Sequence, residues 1–313
     1  MELIRGLHNI RESHHGCVAT IGVFDGLHQG HRMLLEDLAQ KARDLSIPSV
    51  LVTFEPHPQE FLHPSEAPPR LSTLREKLYL LRGTGIDRVL VLRFGNRIRS
   101  VSARDAVKHF FVRRLGVRHL VVGDDFRFGR DAEGDHELLF NMGDELGFGV
   151  SRLETHGDGT ARVSSSRVRQ ALKRGDLHRV QRLLGRPYSM VGRVSRGRGL
   201  GAKLGIPTAN MRPGRMNSPL AGIFVVSVEC SQGRFKGIAS MGTRPTVQGS
   251  EMLLEVHLLD FQGDLYQSIL TVSFLHKVRE ELRFDSLETL TARMRSDIQV
   301  AERWFAERGT LSS

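Results

Sequence analysis

Two histidines, His28 and His31, stand three residues apart where an apolar strand pattern gives way to a helix pattern near the N-terminus. The same stretch, residues 20–31, also contains Gly22, Asp25 and Gly30. Glycine lets the backbone approach an anion closely, and the first turn of a helix offers unpaired N–H groups to that anion. The imidazoles add donors that can become cationic. These residues predict a phosphate site, and a tight strand-to-helix turn with two solvated histidines is the alternative interpretation.

A second polar group, Ser164-Ser165-Ser166-Arg167-Val168-Arg169, stands where a later strand pattern meets a helix pattern. Hydroxyl and guanidinium groups at the start of a helix can hold an anion. Ser164, Ser166 and Arg167 could therefore hold the far end of a triphosphate bound at the two histidines. A serine-rich helix cap with a purely structural role is the alternative.

A glycine-rich stretch in the second half of the chain is a further candidate for phosphate binding. Residues 192–205, called here the glycine loop, contain five glycines, among them Gly197 and Gly199, and also Lys203. Successive N–H groups of such a loop can wrap phosphates, although the Walker pattern is absent. Thr208 and Asn210 follow, and in an extended strand their neutral oxygens share one face, as a magnesium ion bound together with a nucleotide requires. A β-turn with satisfied polar side chains is the alternative.

One carboxylate stands inside a strongly apolar strand pattern. Glu255 lies in Leu253-Leu254-Glu255-Val256-His257-Leu258-Leu259, where it could act as a general base for a hydroxyl group. A glutamate on the solvated face of an alternating strand would show the same pattern. The alternation of inward-facing and outward-facing residues therefore does not separate the two interpretations. The turn 242–246, which includes Arg244, comes just before this strand and could line the same pocket.

The elements that position these residues differ between the two halves of the chain. Apolar runs alternate with helix patterns in the first half, which predicts an open parallel sheet with right-handed crossovers and ligands at the carboxyl ends of its strands. The predicted strands are 18–24, 49–54, 87–92, 118–122 and 148–153. Each candidate motif of this half follows a strand. The fold class predicted here is therefore α/β with a Rossmann-like nucleotide-binding domain.

The pattern changes at Gly185-Arg186-Pro187, where we place the boundary between domains 1–185 and 186–313. The later apolar runs are short, lack intervening helices and predict a small antiparallel barrel. These runs are 189–194, 222–229, 234–239, 253–259 and 269–274. A final helix is predicted over 286–307, with Trp304 on its apolar stripe as core packing.

The charge of +10 is concentrated in one segment of the 313 residues. Residues 161–215 hold fourteen lysines and arginines and one acid, Asp176, so they account for +13 and the remainder carries −3. With a single aromatic, Tyr188, the segment suits small polyphosphates better than a nucleic-acid groove, and a solvated basic face is the alternative. No run approaches the roughly 18 apolar residues of a membrane span, so a cytoplasmic location is expected.

Taken together, these motifs resemble the bacterial bifunctional riboflavin kinase/FAD synthetase family over about residues 15–305. In the first half the resemblance rests on four stretches: 20–31, Phe54-Glu55-Pro56-His57-Pro58, 123–129 and 164–169. In the second half it rests on Leu184-Gly185-Arg186-Pro187-Tyr188, the glycine loop with Pro207-Thr208-Ala209-Asn210, 242–246, 255–260 and Asp264-Leu265-Tyr266. Four positions depart from the family pattern: Ser166 stands where threonine is usual, Ile206 where phenylalanine is usual, Ala132 where arginine is common, and Val247 where an aromatic is usual.

The resemblance implies two ATP-dependent reactions. In the kinase reaction, Glu255 would deprotonate the 5′-hydroxyl of riboflavin while Thr208 and Asn210 hold Mg²⁺, and FMN would form. In the adenylyltransferase reaction, His28 and His31 would stabilise charge at the α-phosphate of a second ATP, and FAD and pyrophosphate would form.

The resemblance also implies the binding residues and partners. Phosphate or nucleotide would be held by Gly22, Asp25, Gly30, Ser164, Ser166, Arg167, Gly197, Gly199 and Lys203, and flavin by Phe54, Asp125, Phe126 and Arg244. The expected partners are riboflavin, FMN and ATP, without nucleic acid, membrane or an obligate protein partner. One alternative is a riboflavin kinase with an impaired adenylyltransferase half. A nucleic-acid-binding protein, suggested by the basic segment alone, is the other.

Overall fold

The computed structural model describes residues 1–154, 162–197, 199–215, 217–246 and 249–308, with the backbone alone at 244–246 and 249–251. The chain divides into two compact units, Met1–Pro68 with Lys77–Ser164 and Pro69–Glu76 with Ser165–Ser313. The boundary at Gly185 therefore stays a prediction.

The helices are α1 (Gln29–Asp44), α2 (Pro58–Leu62), α3 (Leu74–Leu80), α4 (Asn96–Arg99), α5 (Ala103–Asp105, continued by a π-helical turn Ala106–Arg114), α6 (His136–Leu146), α7 (Ser165–Lys173), α8 (Leu177–Leu184), α9 (Leu200–Lys203) and α10 (Leu287–Arg308).

A six-stranded parallel sheet forms the centre of the first unit, in the order β1-β4-β3-β2-β5-β6. Its strands are β1 (Glu2–Arg5), β2 (Cys17–Ile21), β3 (Ser49–Glu55), β4 (Arg88–Arg93), β5 (Val117–Gly123) and β6 (Gly149–Leu153). The apolar residues of the central strands are buried because helices cover both faces of a sheet built by βαβ crossovers. The predicted parallel α/β fold is confirmed.

The strand order places two loops side by side. The chain leaves β2 toward β3 on one side, and it leaves β5, the other neighbour of β2, toward β6 on the opposite side. Such a reversal opens a crevice at the carboxyl ends of the two strands, where ligands of open α/β sheets bind. The loop 22–28 after β2 and the loop after β5 line this crevice.

Two details of the sheet differ from the sequence-based expectation. The edge strand β1 was not expected, since four residues with one buried side chain, Ile4, carry no periodic signal. The strand β2 ends at Ile21 rather than at Phe24, because Phe24 has a φ of 51° and so leaves the extended conformation.

A closed six-stranded barrel forms the centre of the second unit, in the order β10-β11-β8-β7-β12-β9, with antiparallel neighbours. Its strands are β7 (Tyr188–Ser195), β8 (Ala209–Met211), β9 (Gly222–Cys230), β10 (Gly233–Thr246), β11 (Gly249–Leu258) and β12 (Ile269–Arg279). The helix α10 packs on the barrel through Ala301 and Phe305, and Trp304 is partly buried beside them. The predicted barrel with a C-terminal helix is confirmed.

The strand β11 separates two kinds of residue by alternation. Met252, Leu254, Val256 and Leu258 are buried in the barrel, whereas Leu253, Glu255 and His257 are half-buried on the outer face. This alternation places Glu255 outside the barrel core.

A buried ion pair joins two distant segments of the second unit. Arg215 donates from Nη2 to both carboxylate oxygens of Glu76, at 2.6 and 2.5 Å, and both side chains are almost inaccessible to solvent. The backbone N–H groups of Thr73 and Val191 also donate to this carboxylate, at 2.7 and 2.8 Å. The pair therefore fixes the segment Pro69–Glu76 on the barrel. In this way one arginine of the basic segment is neutralised inside the fold.

Within the described residues, none of the helices is both long enough and apolar enough to cross a bilayer.

Candidate active sites

The loop after β2 has a backbone that few sequences adopt. Phe24, Gly26 and Leu27 all have positive φ values, of 51°, 81° and 41°. Glycine does so readily, whereas a phenylalanine and a leucine do so only where the surroundings hold them. Phe24 and Leu27 are buried, at 2% and 1% exposure, so their packing stabilises the loop. This loop is what brings His28 to the start of α1.

The two histidines form one stacked pair. His28 is the N-cap of α1, and its Nδ1 accepts the backbone N–H of His31 at 3.3 Å. The ring centroids lie 3.6 Å apart with the planes inclined at 14°. The buried Nδ1 of His31 has no hydrogen-bond partner among the described residues. One imidazole thus caps the helix, and the other keeps a polar atom for a ligand.

Both imidazoles are neutral at neutral pH. Burial, and then Arg162, lower the pKa of His28 to about 4, against the smaller opposing effects of Asp25 and Asp125. Burial, and then His28, Lys77 and Arg162, hold the pKa of His31 well below its usual value. The cationic forms that the sequence allowed for these imidazoles would therefore need a lower pH. The pair can still donate hydrogen bonds to a phosphate.

Because the imidazoles are neutral, positive charge near them comes from two other side chains, which the sequence did not reveal. Lys77 is buried and donates to the carbonyl of Val23 at 2.5 Å and to Oγ1 of Thr53 at 3.1 Å. Arg162 pairs with Asp124 at 3.2 Å and, more closely, with Asp125. Both act on the pKa of His31, which places them close enough to attract an anion to the same site. Asp25, predicted to bind nucleotide, is buried at 4% exposure in the same loop.

The pH dependence of stability offers a direct test of the neutral histidine pair. The pKa of His28 has its ordinary value of 6.5 in the unfolded chain and is about 4 in the folded chain. The contribution of the neutral histidine to the free energy of unfolding is therefore fully present above pH 6.5. That free energy falls by on the order of 3 kcal/mol as the pH falls toward 4. We expect the protection factors of peptides covering β2 and α1, corrected for the pH dependence of intrinsic amide exchange, to fall over this window. His28→Gln should flatten the dependence, and an unchanged dependence in that variant would contradict the assignment.

The residues predicted to bind flavin in the first unit lie at separate points of the sheet edge. Phe126 stacks on Phe128, with ring centroids 5.3 Å apart. Phe54 meets the edge of Phe94, at 5.6 Å. Asp125, as noted, is engaged by Arg162. The structure brings Asp125 near His28 electrostatically, and it places Phe54 in a second aromatic group.

A large basic cavity adjoins that aromatic group. It has a volume of about 1320 Å³, and Phe61, Phe94 and Phe110 are among its lining side chains. Its lining also contains five arginines, Arg11, Arg93, Arg97, Arg113 and Arg114. None of these guanidinium groups forms an ion pair with a described side chain, whereas the lining holds one acid, Glu12. An aromatic wall with a cationic rim suits an aromatic anion.

The other predicted phosphate ligands of this half are distributed over both units. Gly22 and Gly30 lie in the loop after β2 and in the first turn of α1. Ser164 is the last residue of the first unit, whereas Ser166 and Arg167 lie on α7, which groups with the second unit. Their joint role in one phosphate site stays a prediction.

Several residues predicted for the kinase reaction converge on one cavity of the second unit. Gly199, Thr208, Asn210 and Glu255 all line a cavity of about 320 Å³, called here the nucleotide-side cavity. The strand register explains this convergence, since Glu255 of β11 lies opposite Asn210 of β8. Leu290 of α10 covers the same cavity. Glu255 is therefore on an outer face that α10 covers in part, and its role as a general base stays a prediction.

At two positions of the glycine loop the structure explains why the residue is glycine. A Cβ at Gly197 would collide with the carboxamide of Asn210, and Gly199 has a φ of 69° at the N-cap of α9. Lys203 is exposed and does not line the cavity. The side chain of Arg244 lies outside the described residues, as does Val247.

A second cavity meets the first at Glu255. It has a volume of about 200 Å³ and is called here the apolar cavity. Most of its lining is apolar, with Ile206, Ile223, Ile238, Leu282, Phe284, Leu290, Met294 and Ile298. Thr208, Ser240, Glu255 and Glu281 line both cavities. The carboxylate of Glu255 thus stands between a space bounded by a glycine loop and a space suited to an apolar ring system.

The donor set fits a hard cation shared with a nucleotide. The amide nitrogen of Asn210 donates to the carbonyl of Thr208 at 3.4 Å, which leaves the carboxamide oxygen available as a ligand. The described residues contain no cluster of three histidine, cysteine or acidic side chains that could hold a metal alone. Thr208 and Asn210 would therefore need phosphate oxygens to complete the coordination that Mg²⁺ prefers.

Comparison with known proteins assigns both halves. Residues 10–167 match the FAD synthetase family and residues 184–305 match the riboflavin kinase family. The bifunctional riboflavin kinase/FMN adenylyltransferase of Pseudomonas fluorescens is 48% identical over 302 residues, which cover 96% of this chain and 97% of the relative. This chain belongs to the bifunctional riboflavin kinase/FMN adenylyltransferase family. The resemblance inferred from the motifs is confirmed.

Further members and a solved structure agree with this membership. The bifunctional riboflavin kinase/FMN adenylyltransferase of Escherichia coli K12 is 43% identical, with 97% of this chain and 98% of the relative covered. A crystal structure described as a macrolide-efflux protein from Streptococcus pneumoniae has a TM-score of 0.82 and 27% identity, covering 97% of this chain and all of that one. The FAD synthetase match contains His28, His31 and Arg162, and the riboflavin kinase match contains Thr208, Asn210 and Glu255.

Proposed function

We propose that the chain makes FAD from riboflavin in two ATP-dependent steps, with FMN as the intermediate product. The observation that carries the proposal is the convergence of Glu255, Thr208 and Asn210 on one cavity beside the glycine loop. Membership of the family supports both activities. The cytoplasmic location, and the expectation that no nucleic acid, membrane or obligate protein partner takes part, stay predictions.

In the kinase step, the carboxylate of Glu255 accepts the proton of the 5′-hydroxyl of riboflavin. That oxygen attacks the γ-phosphorus of ATP, the bond to the β-phosphate oxygen breaks, and ADP leaves. ATP would lie on the glycine loop in the nucleotide-side cavity, and the flavin ring in the apolar cavity. Mg²⁺, when held by Thr208, Asn210 and the phosphates, offsets the charge that develops on the phosphate oxygens.

In the adenylyltransferase step, a phosphate oxygen of FMN attacks the α-phosphorus of ATP, and pyrophosphate leaves. The attacking phosphate is already ionised, so the protein need not supply a base. The neutral pair His28 and His31 donates hydrogen bonds to the α-phosphate, and Lys77 and Arg162 add positive charge. Ser164, Ser166 and Arg167 would hold the leaving phosphates. The basic cavity with its aromatic wall next to Phe54 is the space that suits FMN.

A product assay tests the proposal. The purified chain is incubated with riboflavin, ATP and Mg²⁺, and the flavins are separated over time. We expect FMN to appear first and FAD to follow. Accumulation of FMN without FAD would mean that the adenylyltransferase half is impaired, and the absence of both products would contradict the proposal.

His31→Ala separates the two steps. Since a donor aimed at the reacting phosphate is lost, we expect FAD formation from supplied FMN to fall about 100-fold or more, while FMN formation from riboflavin is retained. Initial rates of pyrophosphate and ADP release report the two reactions separately. His63→Ala, at an exposed histidine of the same unit, is the matched control. A kinase defect of equal size in His31→Ala would contradict the two-site assignment.

A further inference from the structure

A second carboxylate lies beside Glu255 and has no role in the steps described above. Glu281 follows β12 and, like Glu255, lines both the nucleotide-side cavity and the apolar cavity. Its backbone position depends on Arg279, which donates to both carboxylate oxygens of Asp297 on α10, at distances of 2.6 to 3.0 Å. The same arginine donates to the carbonyl of Glu280 at 2.8 Å. The segment that carries Glu281 is thus fixed at the mouth of the site.

A glycine makes room for this carboxylate. A Cβ built on Gly242 would overlap the carboxylate of Glu281, so a side chain at 242 would displace it. In the register of β10 and β11, Ser240 lies opposite Glu255 and Gly242 lies two residues further along the same face. Diagonal neighbours on one face of a sheet lie about 7 to 8 Å apart. The carboxylates of Glu281 and Glu255 therefore stand over the same patch of the barrel.

Among the described side chains, none neutralises the charge of Glu281. No described side chain forms an ion pair with it within 4 Å, because Arg279 is committed to Asp297 and Lys277 to Glu280. Burial, and the nearby charges of Glu255 and Glu280, raise the pKa of Glu281, while Arg279 opposes them. His257 of β11 also faces the apolar cavity.

The flavin substrate and the flavin product of the kinase reaction differ in charge, to which a carboxylate is sensitive. Riboflavin is neutral and carries hydroxyl donors on its ribityl chain, whereas FMN carries a phosphate with nearly two negative charges. The new phosphate forms on the oxygen that Glu255 deprotonates, so it forms beside Glu281 as well. A carboxylate there accepts hydrogen bonds from hydroxyl groups and repels a phosphate.

We propose that Glu281 is the residue by which the kinase site distinguishes its neutral substrate from its anionic product. Its carboxylate favours the ribityl hydroxyls of riboflavin and opposes the phosphate of FMN. FMN is thereby released from the kinase half instead of occupying it as an inhibitor. This inference rests on the proposed kinase function.

The test compares FMN as an inhibitor with riboflavin as a substrate. Initial rates of ADP release are measured at pH 8 in the full chain, with riboflavin varied and FMN added, because the adenylyltransferase step releases pyrophosphate and not ADP. In Glu281→Gln we expect the inhibition constant for FMN to fall about tenfold, while the KM for riboflavin changes less, since the amide oxygen still accepts hydrogen bonds. Glu281→Asp keeps the charge and should stay near wild type.

Two further variants separate local charge from other effects. Glu280→Gln removes the same charge one residue away, at a side chain that is 73% exposed and paired with Lys277, so the ratio of the FMN inhibition constant to the riboflavin KM should not change. Gly242→Ala keeps the carboxylate but displaces it, so that ratio should fall as in Glu281→Gln. The fluorescence of Trp304 reports whether each variant is folded.

A measurement on the unaltered chain adds an independent arm. Salt screens a repulsion between charges, so raising KCl should strengthen FMN inhibition of the wild type more than that of Glu281→Gln. An unchanged ratio in Glu281→Gln, or an equal change in Glu280→Gln, would overturn the inference while leaving the kinase function intact. Absence of riboflavin-dependent ADP release from the wild type would instead overturn the proposed function.

Discussion

Glu255→Gln is expected to stop FMN formation and to leave the synthesis of FAD from supplied FMN unchanged. Glutamine keeps the size and a hydrogen-bond acceptor but cannot take the hydroxyl proton, so we expect the rate of ADP release with riboflavin to fall by about 100-fold to 10,000-fold. The position is on the outer face of β11, so the barrel core is untouched. Initial rates of ADP and pyrophosphate release, each with its own flavin substrate, measure the two outcomes.

The matched control for this substitution lies two residues away on the same face. Leu253→Ala shortens a half-buried side chain of the nucleotide-side cavity without removing an ionisable group. It should raise the KM for ATP without the large loss of turnover. Equal loss of both reactions in Glu255→Gln would show that the residue supports the fold rather than the chemistry.

Arg215→Met is expected to produce the largest loss of stability in the second unit. The guanidinium group is fully buried against Glu76, and its removal leaves a buried carboxylate without a cation. Breaking one side of a buried ion pair costs about 3 to 5 kcal/mol. Trp304 is the only tryptophan of the chain and lies on α10, so urea unfolding followed by its fluorescence reports on this unit.

The comparison for Arg215→Met is an exposed pair on the same barrel. Arg234 lies 3.8 Å from Glu229, and both side chains are about half exposed, so Arg234→Met should cost less than about 1 kcal/mol. Adding Glu76→Gln to Arg215→Met should recover part of the loss, because the uncompensated charge disappears. Similar costs for Arg215→Met and Arg234→Met would contradict the role assigned to burial.

The order of strands and helices was open to prediction because it depends on local periodicity. Continuous apolar runs indicated the parallel sheet, and short alternating runs indicated the barrel. Motif spacing also selected His28, His31, Thr208, Asn210 and Glu255 as candidates, and their roles stay predictions. The structure places His28 and His31 at the start of α1, and it places Thr208, Asn210 and Glu255 on the lining of one cavity.

Other features of the sites depend on contacts between segments far apart in the chain. Lys77 reaches the carbonyl of Val23 across 54 positions, and Arg215 meets Glu76 across 139. A lysine and an arginine among 45 basic residues carry no signal of such roles. The neutral state of the histidines likewise follows from burial and neighbouring charges. Glu281 could have been noticed only through the space that Gly242 leaves.

The alternation along β11 has a consequence for laboratory evolution of this enzyme. Residues 252, 254, 256 and 258 fill the barrel, and residues 253, 255 and 257 face the cavities, so one short strand carries two independent sets of positions. A library confined to the first set would explore thermal tolerance with the reacting groups unchanged. A library at 253 and 257, with Glu255 kept, would explore flavin analogues as substrates on an unaltered scaffold.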